Sequence, residues 1–324
     1  MEHVAEQFII TFNAVAPFFL IMFIGWLARR FGIAGEPFYS GINKLAFLCF
    51  FPALLFINMY TADLAAAFDL ALVSYFILSL LAVYAVLWVV AARFVKDKLR
   101  WAVYVQAAYR CNYIVLAIPI IAALFEPGDM PRAALILPFL VTLNNIQTAT
   151  LFVVAGQSSD ISVGARVKGI LIGIFKMPMI IAVLIGILVN VAGLSLPVVV
   201  SRSISSVSLM AAPAALLGVG GALSIEKVRL NLQLAIAATA AKNVLVPLAL
   251  IIPAVLLGFR GVDLAIIALI GLTPVGPATY TTAIALGGPE AGEPAASCLV
   301  LSNALALFTI VPGLAILSIL GLFL

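Results

Sequence analysis

Two stretches of this sequence place prolines and polar side chains inside long apolar runs. The first runs from Arg110 through Asn112 and Tyr113 to Pro119. The second contains Thr273, Pro274, Gly276, Pro277, Thr279, Tyr280 and Thr281. In hydrocarbon, backbone groups freed by a proline must be covered by protein or by a water-filled cavity, and a half-helix that starts there points its positive end and free amides at the break. The two stretches predict an anion-binding site without a metal; the alternative is a pair of ordinary proline kinks.

Two cations also interrupt apolar runs. A charge at such a position is costly unless carbonyls, water or a bound anion compensate it. Lys242 is predicted either to bind the anion or to be held by neighbouring carbonyls. Arg110 stands near the start of its run, from where its side chain could instead reach the membrane interface.

Amide side chains form a third candidate group. Asn144, Gln147 and Thr148 share one helical face, because they are three and four residues apart. Such a face either lines a wet cavity or bonds to neighbouring helices. The amide oxygens of Asn144 and Asn303 are candidate sodium ligands.

The residues on which most catalytic and metal sites depend are few or unsuitably placed. The chain has one histidine, His3 in the N-terminal tail, and three cysteines without metal-ligand spacing. All 13 acidic residues lie in tails, in loops or at the ends of apolar runs, so no carboxylate is placed for a proton relay inside a membrane. The basic residues are scattered and form no basic face. We therefore expect no enzyme activity, no cofactor and no nucleic-acid partner.

The composition requires a lipid bilayer around these residues. The 324 residues are 65% hydrophobic and 9% charged, whereas a soluble domain has about 25% charged residues. A helix needs about 20 apolar residues to cross a bilayer core of about 30 Å. Ten predicted spans follow: Phe8–Ala28, Leu45–Ala62, Leu70–Ala92, Trp101–Phe125, Ala133–Ser159, Gly169–Val191, Ser203–Ile225, Asn231–Phe259, Leu264–Pro289 and Pro294–Leu324.

The basic residues predict the orientation. With the N-terminus outside, the 17 basic residues divide into 12 on or near the cytoplasmic side, 3 outside and 2 within the spans. This is the distribution that the positive-inside rule requires. Both termini are therefore predicted to lie outside.

Similar residues recur at an offset of about half the chain. Pro52 and Pro213 are 161 positions apart, Pro119 and Pro277 are 158 apart, and Asn144 and Asn303 are 159 apart. Five spans per half give the halves opposite topology, which is typical of transporters. The predicted fold is all-α, with one five-helix repeat in residues 1–165 and an inverted one in residues 166–324.

Several short motifs, taken in order, resemble bacterial members of the auxin efflux carrier family. They are Gly25-Trp26-Leu27-Ala28-Arg29-Arg30-Phe31-Gly32, Phe51-Pro52-Ala53-Leu54-Leu55-Phe56, Asn112-Tyr113 with Ile118-Pro119-Ile120, Leu216–Ser224, Ala241–Pro247 and Pro274–Tyr280. The resemblance implies a scaffold made of the first two helices of each repeat, and a transport region whose fourth and ninth helices cross at their prolines. It also implies an elevator-like movement, a substrate carboxylate near the crossing and a homodimer through the scaffold. It assigns the crossover roles to Asn112, Pro119, Pro274 and Pro277.

The sequence departs from the family pattern at two places. Many relatives have a glycine where this chain has Ala117, so the close backbone approach that the family pattern implies there does not carry over to this chain. The loop Gly156–Lys168 is short compared with that of plant hormone exporters. We therefore expect a prokaryotic carrier of the inner membrane.

The predicted function is secondary transport of a small organic anion, such as a dicarboxylate or an auxin-like weak acid. Broken-helix dipoles would bind the carboxylate together with Asn112, Thr273, Tyr280 and Lys242. The co-ion, if one is needed, would be a proton or sodium. The alternatives are a sodium-coupled organic anion symporter of the bile acid type and a non-transporting membrane receptor.

Overall fold

Helices form the architecture of the described chain, and an isolated bridge is the sole β-type pairing recorded there. The computed structural model describes residues 2–64, 68–156, 172, 177–222 and 231–322. In chain order, the helices are α1 (Glu2–Arg30), α2 (Glu36–Tyr60), α3 (Leu70–Phe94), α4 (Lys98–Tyr109), α5 (Tyr113–Leu124), α6 (Met130–Val154), α7 (Pro178–Val191), α8 (Val198–Ala222), α9 (Leu232–Leu256), α10 (Gly261–Leu272), α11 (Ala278–Gly287), α12 (Pro289–Leu305) and α13 (Leu307–Ile319).

Helix length and apolar composition identify a multi-pass membrane protein. Within the described residues, six helices are long and apolar enough to cross a bilayer: α1, α2, α3, α6, α8 and α9. Helices α12 and α13 qualify together as a seventh span that bends by 50°. Helices α5, α7 and α10 are apolar but shorter. Many large apolar side chains, such as Leu20 and Phe23, point away from the protein, as expected of surfaces that face lipid.

The predicted all-α membrane architecture is confirmed, and its details differ at several helix ends. Helix α2 starts at Glu36, nine residues before the predicted span, and the tenth predicted span begins earlier, at Pro289. Parts of the predicted spans five to seven lie outside the described residues, as do Lys176 and the boundary at 165/166 between the predicted repeats. The ten-span inverted repeat stays a prediction.

Three prolines within apolar helices do not break them. Pro52, Pro119 and Pro247 each lie two residues after the last residue of a π turn, and the α-helix continues through the proline. A proline lacks the N–H that bonds the carbonyl four residues earlier, and its ring crowds that carbonyl. The wider π turn leaves room for the ring. The expected break at Pro119 is therefore wrong, since this proline is buried inside α5.

Glycines let two pairs of helices approach closely. A Cβ at Gly220 of α8 would overlap the carbonyl oxygen of Met22 in α1, and a Cβ at Gly25 of α1 would overlap that of Leu217 in α8. A Cβ at Gly186 of α7 would lie 2.8 Å from the carbonyl oxygen of Phe56 in α2. Helices α1 and α8, and likewise α2 and α7, therefore pack backbone to backbone.

We expect Gly220→Ala to destabilise the protein. The new methyl group meets rigid backbone, and overpacking of this kind costs roughly 1–3 kcal/mol. Thermal unfolding of the purified protein checks this, with Gly41→Ala as control because a Cβ at Gly41 meets nothing within 4 Å. Equal unfolding temperatures for the two variants would contradict the close packing of α1 on α8.

Candidate functional site at two helix breaks

Two helices break and meet at their breaks. Helix α4 ends at Tyr109 and α5 starts at Tyr113, while α10 ends at Leu272 and α11 starts at Ala278. Cys111 and Val275 form an antiparallel bridge across the two breaks. The N–H of Asn112 donates to the carbonyl oxygen of Pro274 at 2.8 Å. Four helix ends therefore converge on one buried point: the C-terminal ends of α4 and α10, and the N-terminal ends of α5 and α11. We call this point, formed by residues 110–112 and 273–277, the crossing.

Gly276 permits this close approach. A Cβ at this position would lie 2.6 Å from the carbonyl oxygen of Cys111 and 3.5 Å from the Cα of Asn112. Any other residue would push the two breaks apart, because the atoms it would meet are backbone.

Helix α12 holds the break between α10 and α11 in place. Asn303 donates from Nδ2 to the carbonyl oxygens of Val275 at 2.9 Å and Leu299 at 2.8 Å. Ser302 Oγ accepts from the N–H of Val275 at 3.1 Å and donates to Asn243 Oδ1 at 2.6 Å. Both backbone groups of Val275 are thus bonded, which meets the requirement of a non-helical segment inside a membrane.

Lys242 fixes a positive charge at the end of α10. Its ammonium is fully buried and donates to the carbonyl oxygens of Ile270, at 3.3 Å, and Gly271. These are among the last carbonyls of α10, where the helix dipole is negative. Of the two roles predicted for Lys242, retention by neighbouring carbonyls is the one that the geometry supports, and its charge remains beside the crossing.

Replacing Lys242 with methionine should lower stability markedly. The two carbonyls would be left buried without a donor, and hydrogen bonds to a charged group contribute about 1.5–3 kcal/mol. Thermal unfolding measures the loss, and Lys44→Met, at an exposed lysine, is the control. An unchanged unfolding temperature in Lys242→Met would show that the carbonyls need no cation.

Arg110 lies at the crossing and not at the membrane interface. The residue is only 7% exposed, and its side chain bonds to two helices, α6 and α11. Nη1 donates to Thr148 Oγ1 of α6 and Thr282 Oγ1 of α11, both at 3.2 Å, and Nη2 donates to Asn145 Oδ1 of α6 at 3.1 Å. All three partners are neutral, and within the described ranges no acidic residue pairs with Arg110. The site therefore holds a buried positive charge without a counter-ion.

The guanidinium of Arg110 also has donors to spare. It carries five N–H groups, and the three hydrogen bonds use three of them. The N–H of Nε and one N–H of Nη2 make no hydrogen bond to the described residues. A carboxylate is the group that such a planar fork binds best.

Several buried polar atoms near the breaks lack a partner among the described residues. Asn112 Nδ2, at the first break, is a donor. Asn144 Oδ1, Gln147 Oε1 and Asn303 Oδ1 are acceptors, and the hydroxyl of Thr279 can donate or accept. An unpaired buried polar atom costs about 1–3 kcal/mol, so each is suited to a ligand: the donor to an anion, the amide oxygens to a cation or a protonated group.

The predicted site residues divide into three groups. Asn112, Thr273, Pro274 and Pro277 lie in or at the ends of the two breaks. Asn144 and Gln147 lie on α6 beside α4, where Tyr109 donates to the carbonyl oxygen of Asn144 at 3.2 Å. Tyr280 lies within the first turn of α11.

Three hydroxyl groups of the predicted site, that of Thr273 among them, are bonded to backbone carbonyls. The hydroxyl of Tyr113 donates to the carbonyl oxygen of Ala133 at 2.7 Å, and those of Thr273 and Thr281 donate to Leu269 and Ala278 of their own segments. In the described part of the chain no hydrogen bond joins Asn144 to Asn303, the candidate sodium ligands.

Sequence reasoning missed three members of the site: Arg110 as a central residue, Thr282 and Ser302. A signal for Arg110 was available in the sequence, because polar residues directly follow this cation inside an apolar run. The interface is an alternative location for Arg110 only when its span is counted from Trp101. Helix α4 in fact begins at Lys98 and ends one residue before Arg110, so Arg110 lies at the crossing.

Comparison with known proteins places the chain in a family. No curated protein matches the chain. A family model described as membrane transport protein matches residues 10–312, nearly the whole sequence. The chain therefore belongs to the auxin efflux carrier family of membrane transport proteins.

Proposed function

We propose that this protein moves a small carboxylate across the membrane and binds it as an anion at the crossing of the two broken helices. The observation that carries the proposal is the buried guanidinium of Arg110, which has only neutral partners and unused N–H donors. An uncompensated charge at membrane depth is expensive. A transported carboxylate would compensate it.

Asn112 and the helix ends complete the proposed site. The Nδ2 of Asn112 is a free buried donor two residues from Arg110. The N-terminal ends of α5 and α11 add positive dipole ends. Lys242 contributes its charge from a fixed position, since its hydrogen bonds go to Ile270 and Gly271. The substrates we propose are dicarboxylates and auxin-like weak acids.

The proposed movement is an elevator, with residues 1–165 and 166–324 as two inverted five-helix repeats. The proposed scaffold consists of α1, α2, α7 and α8. The packing supports this grouping, because α1 packs closely on α8 and α2 packs closely on α7. The crossing would then move as part of the remaining helices. We further propose a homodimer in the inner membrane with both termini outside.

Flux into proteoliposomes tests the proposal. The purified protein is reconstituted, a panel of radiolabelled carboxylates is added outside, and an inside-positive potential is imposed without sodium. Moving one charge through a potential of 100 mV corresponds to about 2.3 kcal/mol. At an imposed potential of about 100 mV, a monovalent anion should therefore accumulate about 50-fold. Protein-free liposomes are the control. Absence of flux for every carboxylate would refute the proposal, and binding without flux would favour a non-transporting receptor.

A sodium-coupled symporter of the bile acid type is the second candidate. It is favoured by the free amide oxygens of Asn144, Gln147 and Asn303, since oxygen ligands suit sodium. A sodium gradient added to the same assay separates the two. Uptake that requires the gradient would transfer the assignment to the symporter.

A further inference from the structure

A long apolar groove runs between α3 and α9, and none of the residues that line it belongs to the two breaks. Its volume is about 880 Å³, and Ala71, Tyr75 and Val90 mark its length along α3. From Ala71 to Val90 the helix rises about 30 Å, the thickness of the hydrocarbon core. The far wall is formed by Val246, Ala249 and other residues of α9 and the turn after it. The groove is therefore long enough for acyl chains.

A basic cluster lies at one end of this groove. It consists of Arg93, Lys96, Lys98 and Arg100, all exposed, and no member forms an ion pair with a described residue. Arg93 is three residues beyond Val90 and continues the same face of α3. Arg100 is one turn before Tyr104 of α4, which also lines the groove. Asp97 lies inside the cluster, and its carboxylate accepts from the N–H of Arg100 to cap α4. The cluster keeps a net positive charge.

Two tryptophans lie close to the basic cluster. Trp88 and Trp101 pack edge to face with ring centres 4.7 Å apart, and Trp101 is itself buried in the protein. The indole N–H of Trp101 donates to the carbonyl oxygen of Trp88 at 3.3 Å. Tryptophan is enriched at the boundary between hydrocarbon and headgroups. Apolar groove and cations thus follow one another along α3 in the order of the acyl chain and the headgroup of a phospholipid.

We propose that an anionic phospholipid of the surrounding bilayer binds here. An acyl chain lies along Val83, Leu87 and Val90, and the phosphate and headgroup contact Arg93 and Arg100. The charge of the cluster selects an anionic lipid over a zwitterionic one, because each nearby cation strengthens binding of an anionic headgroup severalfold. This site is separate from the crossing and does not depend on what the protein transports.

Tryptophan quenching by brominated lipids tests the site in a bilayer. A Trp26→Phe background leaves Trp88 and Trp101 as the fluorophores, because the chain has three tryptophans. The protein is reconstituted with mixtures of brominated phosphatidylglycerol or brominated phosphatidylcholine, and relative binding constants follow from the quenching. We expect selectivity for phosphatidylglycerol, reduced roughly tenfold to thirtyfold in Arg93→Gln/Arg100→Gln. The charge-matched control Lys44→Gln/Arg202→Gln should retain the native selectivity for phosphatidylglycerol.

A groove-filling variant separates the acyl-chain contact from the charge. Ala82 lines the groove and is exposed, so Ala82→Phe fills space without disturbing the core. It should weaken quenching by both lipids. Equal quenching by the two lipids in the native protein, or unchanged selectivity in Arg93→Gln/Arg100→Gln, would overturn the proposal. So would a change from dimer to monomer in Ala82→Phe, since the groove would then be an interface between two copies.

Discussion

Replacing Arg110 with glutamine should reduce carboxylate transport by roughly 100-fold. The guanidinium offers its unused N–H donors to the substrate, and charge-assisted hydrogen bonds contribute about 1.5–3 kcal/mol. Glutamine can keep a neutral hydrogen bond to Thr148 or Thr282, which preserves part of the connection between α6 and α11. Initial rates of uptake into proteoliposomes measure the effect.

Arg110→Lys is the matched variant for this prediction. It keeps the charge and loses the planar fork. We expect transport intermediate between the native protein and Arg110→Gln, with the unfolding temperature of each variant recorded. If Arg110→Gln is as stable as the native protein and transports equally fast, Arg110 does not bind the substrate.

Replacing Gly276 with alanine should disrupt the crossing itself. The added methyl group would lie 2.6 Å from the carbonyl oxygen of Cys111, so the two breaks must separate and the bond from Asn112 to Pro274 must lengthen. Displacing a binding group by about 1 Å can reduce activity about 100-fold. We expect a loss of transport of that order, together with a lower unfolding temperature.

Gly128→Ala is the control, because a Cβ at Gly128 meets nothing within 4 Å. Native transport in Gly276→Ala would mean that the close approach of the two breaks is not needed for function.

The helical membrane architecture could be predicted because hydrocarbon imposes a simple rule. A span needs a run of about 20 apolar residues, and the runs at α1, α3 and α6 are visible in the sequence without knowledge of tertiary contacts. The break between α10 and α11 was also predictable, since Pro274, Gly276 and Pro277 follow one another closely and no helix continues through them.

The break between α4 and α5 could not be located from prolines. It contains Arg110, Cys111 and Asn112, and is held open by contacts with the second break, the bridge from Cys111 to Val275 among them. Such contacts join residues more than 160 positions apart, which no local pattern reveals. The sequence predicts the break at Pro119, yet the helix continues through this proline because a π turn precedes it.

The roles of the buried cations also depended on tertiary structure. Lys242 and Arg110 look alike in sequence, as single cations in apolar runs. The structure distinguishes them, since the hydrogen bonds of Lys242 go to the carbonyls that end α10, whereas Arg110 contacts neutral side chains and keeps free donors. Of the two cations, only Arg110 is therefore proposed to contact the substrate directly.

The most direct test compares two variants of the first proline-containing stretch in one flux assay. Asn112→Ala removes the free Nδ2 donor at the crossing, whereas Pro119→Ala changes a buried residue inside α5, away from the break. With unfolding temperatures measured in parallel, we predict that Asn112→Ala abolishes carboxylate flux and that Pro119→Ala retains most of it. Retained flux in Asn112→Ala, or loss confined to Pro119→Ala, would contradict a substrate site at the meeting point of the two breaks.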